Sequence, residues 1–572
     1  MPVPERSSWM RWETHGGWYA ACLVVLGALL KFQCSMGVVP LAGVHDSELY
    51  LRLARSILQG NWLGPYDVLT LIRMPVYPQF LAQAMRWGMG LQQAQAFLHP
   101  IAALLMIAAL RSVGVSAVRI FGFVLLYGLH PAVWMPIRFV ATESLALSLV
   151  TATIACGIGI LASKRKESRA RWGWAVLFGF FFALAFWVRE EGVWLLPFGL
   201  ALGWTLWVGP SDSAVGWEGL KQVGVRAATG RGVDRGSHFW GRMRPDVWGI
   251  GLLCVVCVVV VRCAIVWKNK AQYGVSVTTE LSEPGFKAAF GAMTRLDAER
   301  HHPYVPITRK AMKEAADVSP RFGEMYPFLE KQLDGKGWSQ YGCAWMGVCG
   351  EIAGGWMVWA FRDAASKAGK HADARAAAAF YAEMAEELRS ACAAGSVRCT
   401  RNPSGNVLAP PLQARDIGRI FFSCGRVLWM TIWMPGLGEG IAAVDAMPKA
   451  QDTEQIYAAA FGPEALAATG GLLFRLGPYL VWVYRGLHLI GCGLIAAWLF
   501  RSVLRRRDTS GLGACGISVR QAACILLAVV IASRTLLVAY IDAMSFWAQL
   551  RYMIYVYPAG IALVMCREKR AD

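Results

Sequence analysis

The chain has 572 residues, of which 56% are hydrophobic and only 17% charged, and its mean hydropathy is +0.40. Soluble domains are about a quarter charged, so this balance, with its long apolar runs, excludes a soluble enzyme and indicates a polytopic membrane protein. The formal charge of +19 does not mean nucleic acid, because the cations gather in short stretches between apolar segments, as in positive-inside loops.

Ten stretches approach the ~20 apolar residues that cross a bilayer core. They are Trp18–Val39, Ala94–Arg111, Ala117–Trp134, Ser144–Ala162, Trp172–Val188, Val193–Val208, Val247–Trp267, Tyr479–Phe500, Gln521–Tyr540 and Tyr552–Cys566. The first is too long for a signal-peptide core and lacks a convincing cleavage site, so it reads as a retained span. Two further apolar stretches, Met74–Gly88 and Ile420–Met434, compete with them.

Charge parity decides between them. With a cytoplasmic N-terminus, ten crossings put the basic stretches Lys164–Arg171, Arg226–Arg244, Arg501–Arg507 and Arg567–Arg570 all inside. Crossing by Met74–Gly88 would carry the Lys164 and Arg226 stretches outside, and crossing by Ile420–Met434 alone would carry Arg501–Arg507 outside. Both are therefore expected as interfacial or re-entrant helices on the outer face, and Pro75 and Pro78 suit a helix start.

The expected fold is all-α and polytopic. Residues 1–267 form a transmembrane module with a first outer loop at 41–93. Residues 268–476 form a mostly helical extracytoplasmic domain with an interfacial segment at 420–434, and 477–572 hold the C-terminal transmembrane helices. In the outer domain Ser282 offers an N-cap before Pro284, and "ASKAGKHADARAAAAFYAEMAEELRSACAAG" reads as helix with Gly395 as its stop. Cys343 with Cys349 and Cys392 with Cys399 are close pairs that an oxidising compartment would let bridge, free thiols being the alternative. Cys254 and Cys257 have CxxC spacing inside an apolar span, where packing is the better reading.

Ionisable groups at membrane depth are costly, and here they collect at the outer ends of the spans. His45, Asp46 and Glu48 open the first outer loop, with Arg73 further along it. Arg138 and Glu143 sit in the second outer turn, Arg189, Glu190 and Glu191 in the third, and Asp542 and Arg551 in the last. Such a set suits transfer from a lipid phosphate. A carboxylate takes the proton of an attacking hydroxyl or amine, while arginines grip the phosphate bidentately and stabilise the departing charge. Trp62, Tyr66 and Tyr77 would stack on sugar faces or form the interfacial aromatic belt.

Plainer roles are open to the same residues. Asp46 can cap the helix marked by Leu49, Leu53 and Ile57, Glu143 can cap its span, and Arg189 can pair with Glu190 or Glu191. His45 beside Asp46 is a weak metal-ligand pattern, and His301-His302 reads as a solvated pair. In "GGWMVWAFRDAASKAG", Trp356, Trp359 and Phe361 lie on a helix whose aromatic side packs, covers the cavity or meets an acceptor.

An acid soon after the first span, then a helix, then "RMPVYPQFLA", resembles the GT-C superfamily of polyprenyl-phosphate-dependent membrane glycosyltransferases. That superfamily includes protein O-mannosyltransferases, lipid A aminoarabinose transferases and oligosaccharyltransferases. The likeness covers roughly the first 210 residues. A narrower one, carried by "NWLGPYDVLTLIRMPVYPQFLA" and "VREEGVWLLP", is to uncharacterised bacterial membrane proteins over most of the chain. The resemblance implies Asp46 as catalytic acid/base and Glu143 as its supporting acid or a metal ligand. It likewise picks out Arg551 (in "LRYMIYVYP"), while the gathering of polar groups at the outer face makes Arg73, Tyr77, Arg138, Arg189, Glu190, Glu191 and Arg551 the expected binders of substrate or phosphate, with His45 and Glu48 as further candidates. Expected partners are a polyprenyl-phosphate-linked sugar donor and membrane lipids, not nucleic acid; the setting is a bacterial inner membrane with both termini cytoplasmic. The acceptor is unspecified and a divalent metal cofactor stays open.

The usual adjacent acids are here spaced as Asp46-Ser47-Glu48, and the second acid is Glu rather than Asp. Helix neighbours two apart point in different directions, so Asp46 and Glu48 are not expected to share a proton or a metal. A lipid or sugar transporter would call for paired broken helices and internal pseudo-symmetry, against the one-sided polar set seen here. A non-catalytic envelope assembly protein would keep the outer domain and tolerate loss of Asp46.

Overall fold

The computed structural model describes residues 7–40, 45–163, 168–208, 245–296, 303–400, 412–438, 451–463, 466, 475–508 and 518–567, with backbone only at 7–15, 168, 451–453 and 501–508. The expectations for 164–167, Arg226–Arg244, the side chains of Arg501–Arg507, 568–570, and His301 and His302 lie outside the described residues.

Among the described residues the regular structure is entirely helical. Span α1 (Ser7–Cys34) is followed by α2 (Ser47–Leu58) and α3 (Val76–Arg86) in the first loop. Next come α4 (Leu91–Ser112), α5 (Ala117–Gly128), α6 (Pro131–Trp134), α7 (Thr142–Ala162), α8 (Ser168–Trp187), α9 (Leu196–Val208) and α10 (Pro245–Tyr273). A helical domain follows: α11 (Pro284–Met293), α12 (Arg309–Val318), α13 (Pro320–Glu330), α14 (Ser339–Met346), α15 (Trp356–Lys367) and α16 (Ala374–Ala393). The chain returns through α17 (Asp416–Trp433), α18 (Gln451–Phe461), α19 (Gly477–Asp508), α20 (Val519–Met544) and α21 (Val556–Cys566).

Of the ten expected spans, seven are single helices long and apolar enough to cross a membrane: α1, α4, α7, α8, α10, α19 and α20 among the described residues. The third is a bent pair. α5 stops at Gly128, and Pro131–Arg138 continues at 58° to it. Pro131 has no N–H to continue the ladder, and His130 Nδ1 restarts the helix by accepting from Ala132 N–H at 3.1 Å. The sixth and tenth are shorter apolar helices, Gly192–Val208 and Val556–Cys566.

Helix α7 runs through the centre, flanked by α4 and α8, with 94% of its apolar window buried. Its polar residues cost little because Ser148, Thr151 and Thr153 donate to their own helix at Ser144 O, Leu147 O and Leu149 O (3.2, 2.8 and 2.8 Å). Gly159 is required there, since a Cβ would lie 2.4 Å from the Trp174 ring.

Helix ends gather at two ends of the bundle. At one, Val39 N–H donates to Arg138 O (2.9 Å), Ser47 Oγ to Val140 O (3.1 Å) and Gln95 Nε2 to Ile137 O (2.9 Å). At the other, Arg520 donates to Val113 O (3.2 Å), Arg119 to Met565 O (3.2 Å), and Arg171 pairs with Asp246 (3.1 Å). Ala162, Ser168, Pro245, Val519 and Cys566, which flank the basic stretches, all belong to this second end.

Among the described residues neither disputed stretch is a helix long and apolar enough to count as a span. α3 starts beside α4, with Tyr77 OH donating to Gln95 Oε1 at 3.3 Å, and it ends at Arg86, just before α4 begins. Its 11 residues rise only ~16 Å, half a bilayer core. α17 packs along the last turns of α20, where Arg426 pairs with Asp542, and ends where Arg485 Nε donates to Trp433 O (2.6 Å). α18 packs against α2, with Arg55 donating to Ile456 O at 3.0 Å.

The helical domain has its own core, in which Phe286, Phe290, Phe322, Phe361 and Tyr381 pack edge and face. Both cysteine pairs are bridged, Cys343–Cys349 with Cα atoms 4.4 Å apart and Cys392–Cys399 with 5.7 Å. The N-cap of α11 is Glu283 rather than Ser282, its Oε2 accepting from Phe286 N–H at 2.6 Å. The stretch expected as one helix is two: α15 ends at Lys367, Gly369 takes φ +74°, and Asp373 caps α16. Gly395, at φ +72°, follows the end of α16 as expected. The domain is pinned to the first loop by a buried cluster in which Arg362 meets Glu280 and Val68 O, and Tyr66 OH donates to Glu280.

Candidate functional site

Asp46 stands just before α2, but its side chain makes no capping hydrogen bond; it pairs with Arg73 instead. Arg73 also donates to His45 O (3.2 Å) and lies over the Trp359 ring at 5.3 Å. Its loop is set by Asp67, which accepts from Leu69 N–H and Thr70 Oγ1, each at 2.8 Å. The Asp46 side chain stays 53% exposed and faces a cavity of about 830 Å³.

The turns before α7, before α9 and after α20 meet it there. Glu143, in the first turn of α7, is 7% exposed and lies 3.0 Å from Arg189 Nη1 and 3.9 Å from Arg551 Nη1. Arg189 donates to Thr142 Oγ1 and Glu191 Oε1, both at 2.7 Å. Glu191 lies 3.4 Å from Arg534 Nη2. Asp46, Arg73, Glu143, Arg189, Glu190, Glu191, Arg534 and Arg551 all line this one cavity, four carboxylates facing four guanidinium groups.

Electrostatics hold Glu191 and Arg551 in their charged forms. Burial pushes the Glu191 carboxyl up, but the Arg189 and Arg534 charges outweigh it and leave it at about 2. The Tyr552 and Glu143 oxygens hold the Arg551 guanidinium above its usual range against burial. Burial lowers the His45 imidazole, which packs edge-on to Trp338 and Trp359.

Four sequence candidates sit elsewhere. Tyr77 is fully buried against Gln95 and Tyr50 and does not line the cavity, because the Pro-Tyr-Pro helix turns that ring inward. Arg138 is buried, with its Nε donating to Gly37 O at 2.7 Å, so it ties the first loop to the second. His45 is packed between tryptophans outside the lining, and Glu48, two residues past Asp46 and on α2, is not among the lining residues either. Asp542 is also structural, accepting from Arg426 Nε (2.9 Å) and Ala548 N–H (2.7 Å).

Sequence reasoning missed Arg534 and Thr142. Arg534 stood out in "VVIASRTLLVAY" as a cation within an apolar run, the very signal that marks functional residues at membrane depth. Its guanidinium lies between the Trp194 and Tyr555 rings at 5.1 and 4.8 Å, and its Nε donates to Tyr552 O at 2.7 Å. Thr142 carries no such signal; it is recognised only by its bond to Arg189. Among the described residues no three His, Cys, Asp or Glu side chains come together as a metal-ligand set.

No family model matches the chain, and no curated protein does. Among solved structures it is similar to ArnT from Cupriavidus metallidurans in the apo state, at 14% identity and a TM-score of 0.31, over 93% of this chain and 78% of that one. The same protein bound to undecaprenyl phosphate overlaps at 13% identity and a TM-score of 0.30, over 97% and 76%. An overlap this low carries no argument, and the functional reading stands on the residues of the cavity.

Proposed function

We propose that the chain is an integral-membrane glycosyltransferase of the GT-C type, transferring a sugar from a polyprenyl-phosphate donor to an acceptor at the extracytoplasmic face of a bacterial inner membrane. One observation carries this reading: an exposed carboxylate, Asp46, shares a single cavity with Arg73, Arg189, Arg534 and Arg551 at one end of a helical bundle. The acceptor's hydroxyl or amine attacks the anomeric carbon and gives its proton to Asp46. The bond from that carbon to the phosphate oxygen breaks, its electron pair staying on the phosphate, where the guanidinium groups neutralise it. Glu143, held by Arg189 and Arg551, sets the position of both.

The outer placement is supported by the two bridges in the helical domain, which an oxidising compartment preserves, and by the basic stretches flanking the opposite end. In this reading residues 1–267 and 477–572 form the membrane module, and 268–476 form an outer domain over the cavity.

Replacing Asp46 tests the assignment directly. Asp46→Asn, assayed in purified protein with a polyprenyl-phosphate sugar, is expected to lose ~10²–10⁴-fold in turnover, the worth of a positioned base. Turnover equal to wild type would remove Asp46 from the chemistry.

A further inference from the structure

The cavity has a second wall that transfer chemistry does not use. Tyr341 and Trp345 on α14, Trp356 on α15, and Phe546, Trp547 and Tyr552 after α20 line it on the side of the helical domain. Ring to ring they form an arc: Tyr341 stacks on Trp356 at 6.1 Å, Trp356 meets Phe546 at 6.2 Å, and Phe546 meets Tyr552 at 6.0 Å. The arc ends on the charged floor, where Arg189 lies 5.9 Å from the Tyr552 ring.

Two features set this arc apart from ordinary core. Trp345, Trp547 and Tyr341 remain 53%, 46% and 42% exposed, although they belong to the largest apolar side chains. The arc is also held in place rather than left loose. The Cys343–Cys349 bridge closes the end of α14, and Gly354 packs so tightly on Ser545 that a Cβ would lie 2.2 Å from its carbonyl oxygen.

We infer that this aromatic arc is the acceptor subsite and that it takes an uncharged saccharide ring. The inference rests on the reading of the cavity as a transfer site. Sugar rings present a flat C–H face, which apolar aromatic surface covers well, and a rim of hydroxyl donors. The rim has acceptors to meet. Asp46 is half exposed, and Glu190, also exposed, receives among the described residues a long 3.4 Å bond from Met74 N–H. The four carboxylates of the lining balance its four guanidinium groups in formal charge, so the cavity offers no net charge to draw an ionic ring. The donor's isoprenoid chain is the poorer occupant, because the arc lies on the helical-domain side of the cavity, whereas a lipid enters between spans.

The test uses the full chain in lipid nanodiscs without donor and reads NMR saturation transfer from protein to methyl glucoside, methyl mannoside and methyl galactoside. Transfer to the ring C–H protons of at least one glycoside is expected. In the double variant Tyr341→Ala, Trp345→Ala it should fall about fivefold or more, and in Trp345→Phe, which keeps a ring, most of it should survive. No transfer to any of the three, or equal transfer in the double variant, overturns the subsite. Loss in Trp345→Phe equal to that in the double variant points to a scaffold residue and overturns it as well. Donor turnover by wild type is measured separately, so failure of the transferase reading is distinguishable from failure of the subsite.

Discussion

Arg534 shows how one side chain ties the site together. It is 1% exposed, holds Glu191 on one side and the carbonyl of Tyr552 on the other, and so joins the turn carrying Arg189 to the turn carrying Arg551. Breaking a buried pair by removing one partner costs about 3–5 kcal/mol. Arg534→Met is expected to lower the unfolding temperature in detergent strongly, and Arg534→Met with Glu191→Leu to recover most of it, read by thermal melts. Glu191 adds a pH dependence. Its carboxyl lies at about 2 in the folded chain against an ordinary 4.5, so its contribution is complete above pH 4.5 and is lost as pH falls towards 2. That contribution is on the order of 3 kcal/mol. Glu191→Gln should flatten the fall in unfolding temperature over that acid range, and an unchanged slope would contradict the coupling. At this scale the sequence was informative for acids and arginines beside spans, because burial makes charge conspicuous there. Tyr77 and Arg138 misled because residue type does not reveal which way a ring or a guanidinium turns.

At the scale of elements, the long spans were readable from hydropathy, since α4, α7 and α20 are little more than apolar windows. The break between α5 and α6 was not, because Pro131 falls inside an apolar stretch whose composition never changes. The split between α15 and α16 was concealed in the same way by alanines on both sides of Gly369. The cysteine pairs were legible as spacing, and their energetic role follows from loop length. Each closes a loop with a sequence separation of 6 or 7, worth roughly 2 kcal/mol in lost chain entropy. Cys343→Ala with Cys349→Ala should therefore destabilise the helical domain by about that much, measured by domain-specific hydrogen exchange. Equal exchange in variant and wild type would mean that α14 is held by packing alone.

For the whole molecule, charge parity was the strongest inference the sequence allowed, because it uses every loop at once. It kept both α3 and α17 out of the list of spans, and neither is a helix long and apolar enough to count as one among the described residues. Cysteine labelling tests the arrangement. Lys287→Cys, on the helical domain, should react with an impermeant reagent in intact cells, and Ser112→Cys, at the opposite end, only after permeabilisation, each scored against the native thiols. Labelling of both from outside would contradict a two-sided molecule.

The ion pair between Asp46 and Arg73 has a kinetic consequence. In the transfer reading proposed above, the guanidinium that covers Asp46 is the one a donor phosphate would seek, so the acceptor reaches the carboxylate only after the phosphate draws Arg73 away. Binding order follows: donor first, acceptor second. Initial-rate patterns should then be sequential and compulsory, with the dephosphorylated donor analogue unable to prime the acceptor step.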